Sequence, residues 1–311
     1  MRLGSGVWIP SLFSRREERI NVGTLSAIAR DYWERLAADT KAAKAESKAL
    51  QGKKLRSWAS GSKHLALDGA DLESCFSPNT PTARRTKAKN EKRPFDMETL
   101  AGHVAAAKHS ILFLAFNPGT PSIATWAAAA QRKNKDLFVR GCVTNKSTAE
   151  NYYYDLKGMT PPKKAKGSKT RPKEDVRVIG AEALDKIIPL GWQKELLKAG
   201  FAIVHDKIVV IDALSDECVV VTGSHNLGYK ASYDNDENLV IIQGNKKLAT
   251  AYATHVLDVY DHFAWRYMVQ ERGAKAADQS LSPTDAWLDK YYGADGTIKT
   301  AQLRFWMGAI P

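Results

Sequence analysis

No apolar run in this 311-residue chain is long enough to cross a bilayer. Residues 1–21 have no apolar core leading to a cleavage site, so no secretory leader is expected there. Cysteine is scarce. Cys75, Cys142 and Cys218 are an odd number, and each sits in an apolar stretch, which predicts buried free thiols in a reducing compartment rather than a disulfide framework. None of the three is spaced from a histidine as zinc ligands are. Together these absences set the expectation of a soluble, cytoplasmic protein. Negative charge is also short: 34 acidic against 46 basic residues leave a net charge of +12.

That charge is concentrated. Lys41–Arg56 carries +5, Arg84–Arg93 another +5 and Lys157–Lys173 +7, so the three segments hold +17 and the remainder of the chain −5. Breakers and low-complexity runs within them (Pro161, Pro162, Gly167 and Pro172; the Ala/Lys-rich run at 41–54) predict exposed loops. Such loops serve solubility or attract an anionic surface, either nucleic acid or acidic lipid headgroups. The chain has no clear nucleic-acid module and no basic stripe interleaved with aromatics.

From residue 72 the chain alternates strand and helix. Strands are predicted over Leu72–Phe76, Ser110–Phe116, Asp136–Val143 and Asp175–Ile179. Helices are predicted over Asp96–Lys108, near Ser122–Gln131 and over Trp192–Lys198. Alternation of this kind predicts an α/β protein whose mixed β-sheet is flanked by helices on both faces. Residues 1–40 read as a helical segment, 41–71 as a basic linker, 72–270 as the main domain and 271–311 as a helical tail. That tail is rich in aromatics (Trp287, Tyr291, Tyr292 and Trp306), which predicts two short amphipathic helices packing on the domain, with a lid or partner surface as the alternative.

The densest chemistry lies between Phe201 and Asn238. Phe201–Ile211 is apolar and β-branched around His205 and Lys207, which predicts a buried strand with both polar side chains on one face. Ionisable groups on a buried strand need a partner, and a phosphate is the natural one. A second apolar strand, Val219–Thr222, runs into Gly223-Ser224-His225-Asn226. Alternation places Ser224 and Asn226 on one face and His225 on the other, in a structural role. Asp234-Asn235-Asp236-Glu237-Asn238 then leads into the apolar strand Leu239–Ile242, with Glu237 at its mouth.

His205-x-Lys207-x4-Asp212, then Gly223-Ser224-x-Asn226, then the strand-leading Glu237-Asn238 pair resemble the phospholipase D superfamily in identity and order. Less specifically, the resemblance extends from about Glu73 to Tyr267. It implies an α-β-α sandwich and a metal-independent phosphodiesterase needing no cofactor. In the mechanism it implies, a histidine attacks phosphorus and forms a phosphohistidine, which makes His205 the nucleophile or the acid, while Lys207 and Asn226 neutralise the phosphoryl oxygens. Ser224, on its Gly223 turn, adds a phosphate contact, and Glu237 orients the imidazole. Asp212 completes the motif, and a structural hydrogen bond at the strand end is the role expected of it.

The family mechanism uses two facing histidines, and of His64, His103, His109, His205, His225, His255 and His262 only His205 lies in H-x-K. Two sources for the second are open. One is a homodimer partner. The other is an N-terminal repeat missing from this chain, since Val22–Leu36 loosely echoes Asn245–Tyr260 in the helix that follows the motifs. Three functions follow: a hydrolase of a phospholipid-type phosphodiester, which common practice in the superfamily favours; a nuclease acting on DNA or RNA; or a non-catalytic half-enzyme that binds phosphodiesters.

Overall fold

The computed structural model describes residues 22–43, 53–67, 69–80, 93–162, 175–181, 204–272 and 284–308. The predicted helix over Trp192–Lys198, and most of the three basic segments, lie outside them.

The elements follow in chain order: helices α1 (Val22–Ala43) and α2 (Lys53–Ala59), strands β1 (Lys63–Leu67) and β2 (Ala70–Ser77), then helix α3 (Phe95–Ala106). Next come β3 (Ser110–Ala115), α4 (Ile123–Lys133), β4 (Phe138–Val143), α5 (Lys146–Lys157) and β5 (Val178–Gly180). The motif region supplies β6 (Lys207–Ile211), β7 (Val219–Gly223), the short helix α6 (Tyr229–Asp234) and β8 (Glu237–Gln243). A long helix α7 (Lys246–Arg272), a 3-10 turn (Asp285–Lys290) and α8 (Ala301–Trp306) finish the described chain.

Eight strands form one sheet in the order β1-β2-β8-β7-β6-β3-β4-β5. β3, β4 and β5 run parallel, and every other neighbouring pair is antiparallel. The central strands are apolar at nearly every position because both faces are covered. On β3, Ile111 and Phe113 pack with Met97, Leu100 and Val104 of α3 and Ile123 and Trp126 of α4. Leu112 and Leu114 face the other way, towards Tyr252, Val256 and Tyr260 of α7. Period-two alternation in the strands thus feeds two helical layers, an α/β sandwich. α7 is capped by Asn245, whose Oδ1 accepts the Leu248 N–H at 2.9 Å. All three cysteines are buried and none forms a disulfide.

Three stretches differ from the sequence reading. In the tail Trp287 and Trp306 are exposed, and the aromatic that packs on the core is Phe305, stacked on Phe138. Within the presumed linker 41–71, Lys53–Ala59 is helical and Lys63–Leu67 is the sheet's edge strand. There Leu55 and Ala59 of α2 pack with Tyr32 of α1 and Phe76 of β2, and Tyr32 stacks on Phe76 at 4.6 Å between ring centroids. Hydrophobic burial overrode a composition that reads as low complexity. The predicted strand Phe201–Ile211 is shorter among the described residues, beginning at Lys207, so His205 lies just before it.

Asp212, the last residue of the first motif, stands at the opposite end of β6 from His205. Its backbone takes a left-handed turn (φ 49°), and its buried carboxylate accepts the N–H groups of Lys108, His109 and Ser110 at 2.7–2.9 Å. It fixes the turn between α3 and β3, the structural hydrogen-bonding role expected of it. Removing the acceptor leaves three N–H groups to find other partners. Asp212→Ala is therefore expected to lower unfolding free energy by about 3 kcal/mol, measured by urea denaturation; a loss below about 0.5 kcal/mol would contradict this role.

Candidate phosphodiester site

Strand direction brings the polar residues together. β6 runs antiparallel to both of its neighbours, so its N-terminal end lies beside the C-terminal ends of β3 and β7; Lys207 pairs with Ala115 of β3. β8 is antiparallel to β7, and Leu239 pairs with Gly223. His205 and Lys207, Phe116, the Gly223–Asn226 turn and Glu237-Asn238 therefore share one edge of the sheet.

His205 is exposed while Lys207 is buried. Its preceding residue, Val204, is pinned to the end of β4: Thr144 Oγ1 donates to the Val204 carbonyl at 2.7 Å and accepts the Val204 N–H at 2.9 Å. The imidazole meets the Phe116 ring edge-on, with centroids 4.7 Å apart. Lys207 Nζ donates to the His205 carbonyl at 2.7 Å and lies 3.4 Å from Nδ1 of its ring. Burial and the Lys207 ammonium push the His205 pKa down, against Asp206 and Glu237. Burial also lowers that of Lys207, opposed by the same two carboxylates. A depressed imidazole pKa keeps the ring unprotonated near neutrality, the form a nucleophile needs.

The second motif is a built turn. Gly223 has φ 144°, and a side chain there would meet the Asn238 carbonyl at 2.3 Å, so only glycine fits. Ser224 and Asn238 clamp each other: Ser224 N–H donates to Asn238 Oδ1 at 2.8 Å, and Asn238 N–H donates to Ser224 Oγ at 3.0 Å. Ser224 Oγ retains its own proton for a phosphoryl oxygen. Asn226 Oδ1 is buried without a hydrogen-bond partner. Asn238 is the residue whose role the sequence reading missed. It was visible only as the second letter of a Glu-Asn pair, and its partner lies fourteen positions away.

Glu237 does not make the orienting bond expected of it. Its Oε1 accepts from Asn235 Nδ2 at 3.0 Å, and its charge acts on His205 and Lys207 through space. Beside it, Asp236 is pushed up to about 6 by burial and the Glu237 charge, and Tyr32 of α1 hydrogen-bonds it. Among the described residues no group of three or more His, Cys, Asp or Glu is placed to hold a metal ion.

Residues 105–258 match the family model described as "Cardiolipin synthase, PLD-like domain", a span containing His205, Lys207, Asp212, Gly223, Ser224, Asn226 and Glu237. The chain belongs to the phospholipase D superfamily, whose members are phosphodiesterases. It is similar to the solved structure of Nuc, a phospholipase D family member from Salmonella typhimurium. That match has 20% identity and a TM-score of 0.39, and covers 62% of this chain and 95% of that one. NucT from Helicobacter pylori is similar at 14% identity and a TM-score of 0.36, covering 61% and 96%. No curated protein matches.

The electrostatics give a pH prediction. Asp206 is one of two carboxylates raising the His205 pKa, so Asp206→Asn leaves the imidazole more easily deprotonated. The acid limb of kcat/KM is expected to lie below that of an ordinary histidine in the wild type and lower still in the variant. A limb that moves to higher pH on this substitution would contradict the assignment.

Proposed function

We propose that the chain hydrolyses phosphodiesters through a phosphohistidine on His205, and that the catalytic unit contains two copies of this edge. The observation that carries the proposal is an exposed imidazole of depressed pKa beside a buried lysine, at the sheet edge that also holds the clamped Ser224 hydroxyl. His205 attacks phosphorus in line with the leaving oxygen, forming the N–P bond as the P–O bond breaks. Lys207 Nζ, the Asn226 amide and the Ser224 hydroxyl supply donors to oxygens whose charge grows in the transition state. The leaving alkoxide takes a proton from the His205 of a second chain, and water then cleaves the N–P bond. PLD-like domains often act as dimers, and a second copy supplies the missing histidine without any further sequence.

Nucleic acid is the substrate that the charge favours. A net +12, with +17 held in three segments, suits a polyanion. A phospholipid is the second reading, supported by the description of the matching family model; the three segments would then meet anionic headgroups.

Hydrolysis of bis-(p-nitrophenyl) phosphate in EDTA, over a protein-concentration series, tests the proposal. Activity is expected to survive EDTA, to rise faster than linearly with concentration and to fall by at least about 10³-fold in His205→Ala. No turnover by folded protein at any concentration would sink the two-copy reading. Competition of that reaction by single-stranded DNA or by phosphatidylglycerol vesicles then separates the substrate classes.

A further inference from the structure

His225 lies between two residues of the site, yet its side chain turns inward and is 1% exposed. Nδ1 accepts the N–H of Leu227 at 3.0 Å. Nε2 lies 3.1 Å from Ser232 Oγ on α6 and 3.1 Å from Asp96 Oδ2 in the first turn of α3. Ser232 Oγ in turn donates to Asp96 Oδ1 at 2.8 Å, and the Met97 N–H reaches the same oxygen at 2.7 Å. A ring nitrogen that accepts a backbone N–H carries no proton, so the single ring proton belongs on Nε2, facing the carboxylate and the hydroxyl.

The turn this ring supports is unusual. Leu227 has φ 58°, a conformation that non-glycine residues rarely adopt without outside support. Its N–H is tied to His225, and its carbonyl accepts the Ile123 N–H at the start of α4. The next residue, Gly228, lies against the Pro118 carbonyl, where a side chain would come within 1.8 Å. On the other flank the His225 N–H donates to the Asn238 carbonyl. Ser224 and Asn226, both half-buried, thus flank an inward-turned His225 in a loop held on both sides. A buried carboxylate is costly, and an apolar pair of similar volume would fill the space as well. What Asp96 adds is control over which ring nitrogen holds the proton.

We infer that Asp96 and His225 are positioning residues of the phosphodiester site. Asp96 and Ser232 hold the imidazole proton on Nε2, and the bare Nδ1 holds Leu227 in the turn that aims Ser224 and Asn226 at the phosphoryl oxygens. The inference rests on reading this sheet edge as the phosphodiester site.

The test uses Asp96→Asn, His225→Gln, His225→Asn and Ser232→Ala, each in the full chain and each checked for folding by thermal denaturation. An asparagine at 225 sets its amide oxygen where Nδ1 stood and keeps the Leu227 bond, whereas a glutamine reaches towards Asp96 and leaves Leu227 without an acceptor. With bis-(p-nitrophenyl) phosphate, kcat/KM is expected to fall about tenfold in Asp96→Asn and about a hundredfold in His225→Gln, mostly in kcat, with His225→Asn about tenfold better than His225→Gln. Equal activity of the two His225 variants, or folded Asp96→Asn and His225→Gln at the wild-type rate, would overturn the inference. Should the Asp96 and His225 variants not fold, Ser232→Ala and nitrogen-15 NMR of the wild-type imidazole decide instead. A ring protonated on Nδ1 or on both nitrogens at neutral pH contradicts the inference. If the wild type turns over no phosphodiester, the functional reading fails separately. Orthovanadate affinity then reports on the pair: about tenfold weaker in Asp96→Asn supports the positioning role, and no change removes it.

Discussion

The structure depends on one constraint, the antiparallel insertion of β6 between β3 and β7. Because β6 runs against both neighbours, the residues that enter it meet the residues that leave the other two. A histidine two positions before the strand and a lysine at its first position then meet Phe116 and the Gly223 turn at the same edge. Antiparallel β8 brings Glu237 and Asn238 to that edge as well. At the far end of β6 Asp212 gathers three backbone N–H groups. The first motif therefore spans the whole strand, with chemistry at one end and an anchor at the other.

At the near end, rigidity comes from backbone contacts made by polar side chains. Thr144 holds Val204, Ser224 and Asn238 hold each other, and His225 holds Leu227. Each closes a hydrogen bond that would otherwise be left unmade in a partly buried setting. The functional atoms then keep free capacity: an exposed imidazole, a lysine with donors to spare and a serine proton. A site prepared in this way stabilises charge in the transition state with little reorganisation.

Much of this was legible in the sequence. Period-two alternation gave the strands of the core and the inward turn of His225, and the apolar runs announced a sheet covered on both faces. The spacing of His205, Lys207, Gly223, Ser224 and Asn226 located the site edge. Other features depended on partners distant in the chain. Nothing local marks Asn238 as the clamp of Ser224, or Asp96, well over a hundred residues earlier, as the partner of His225. The Glu237 carboxylate was assigned to an imidazole by motif, but its own neighbour Asn235 competes for it. β1 and α2 hid in a basic, alanine-rich stretch whose burial depends on Tyr32 and Phe76, and α5 ended where a basic segment began.

The central claim is that His205 is the nucleophile on this edge. The most direct measurement is mass spectrometry of protein quenched in alkali during turnover of bis-(p-nitrophenyl) phosphate in EDTA, where a phosphohistidine survives. A phosphoryl adduct confined to the peptide containing His205, and absent from Lys207→Ala, is the predicted result. Turnover with no adduct on His205, or with an adduct on another histidine, would contradict it.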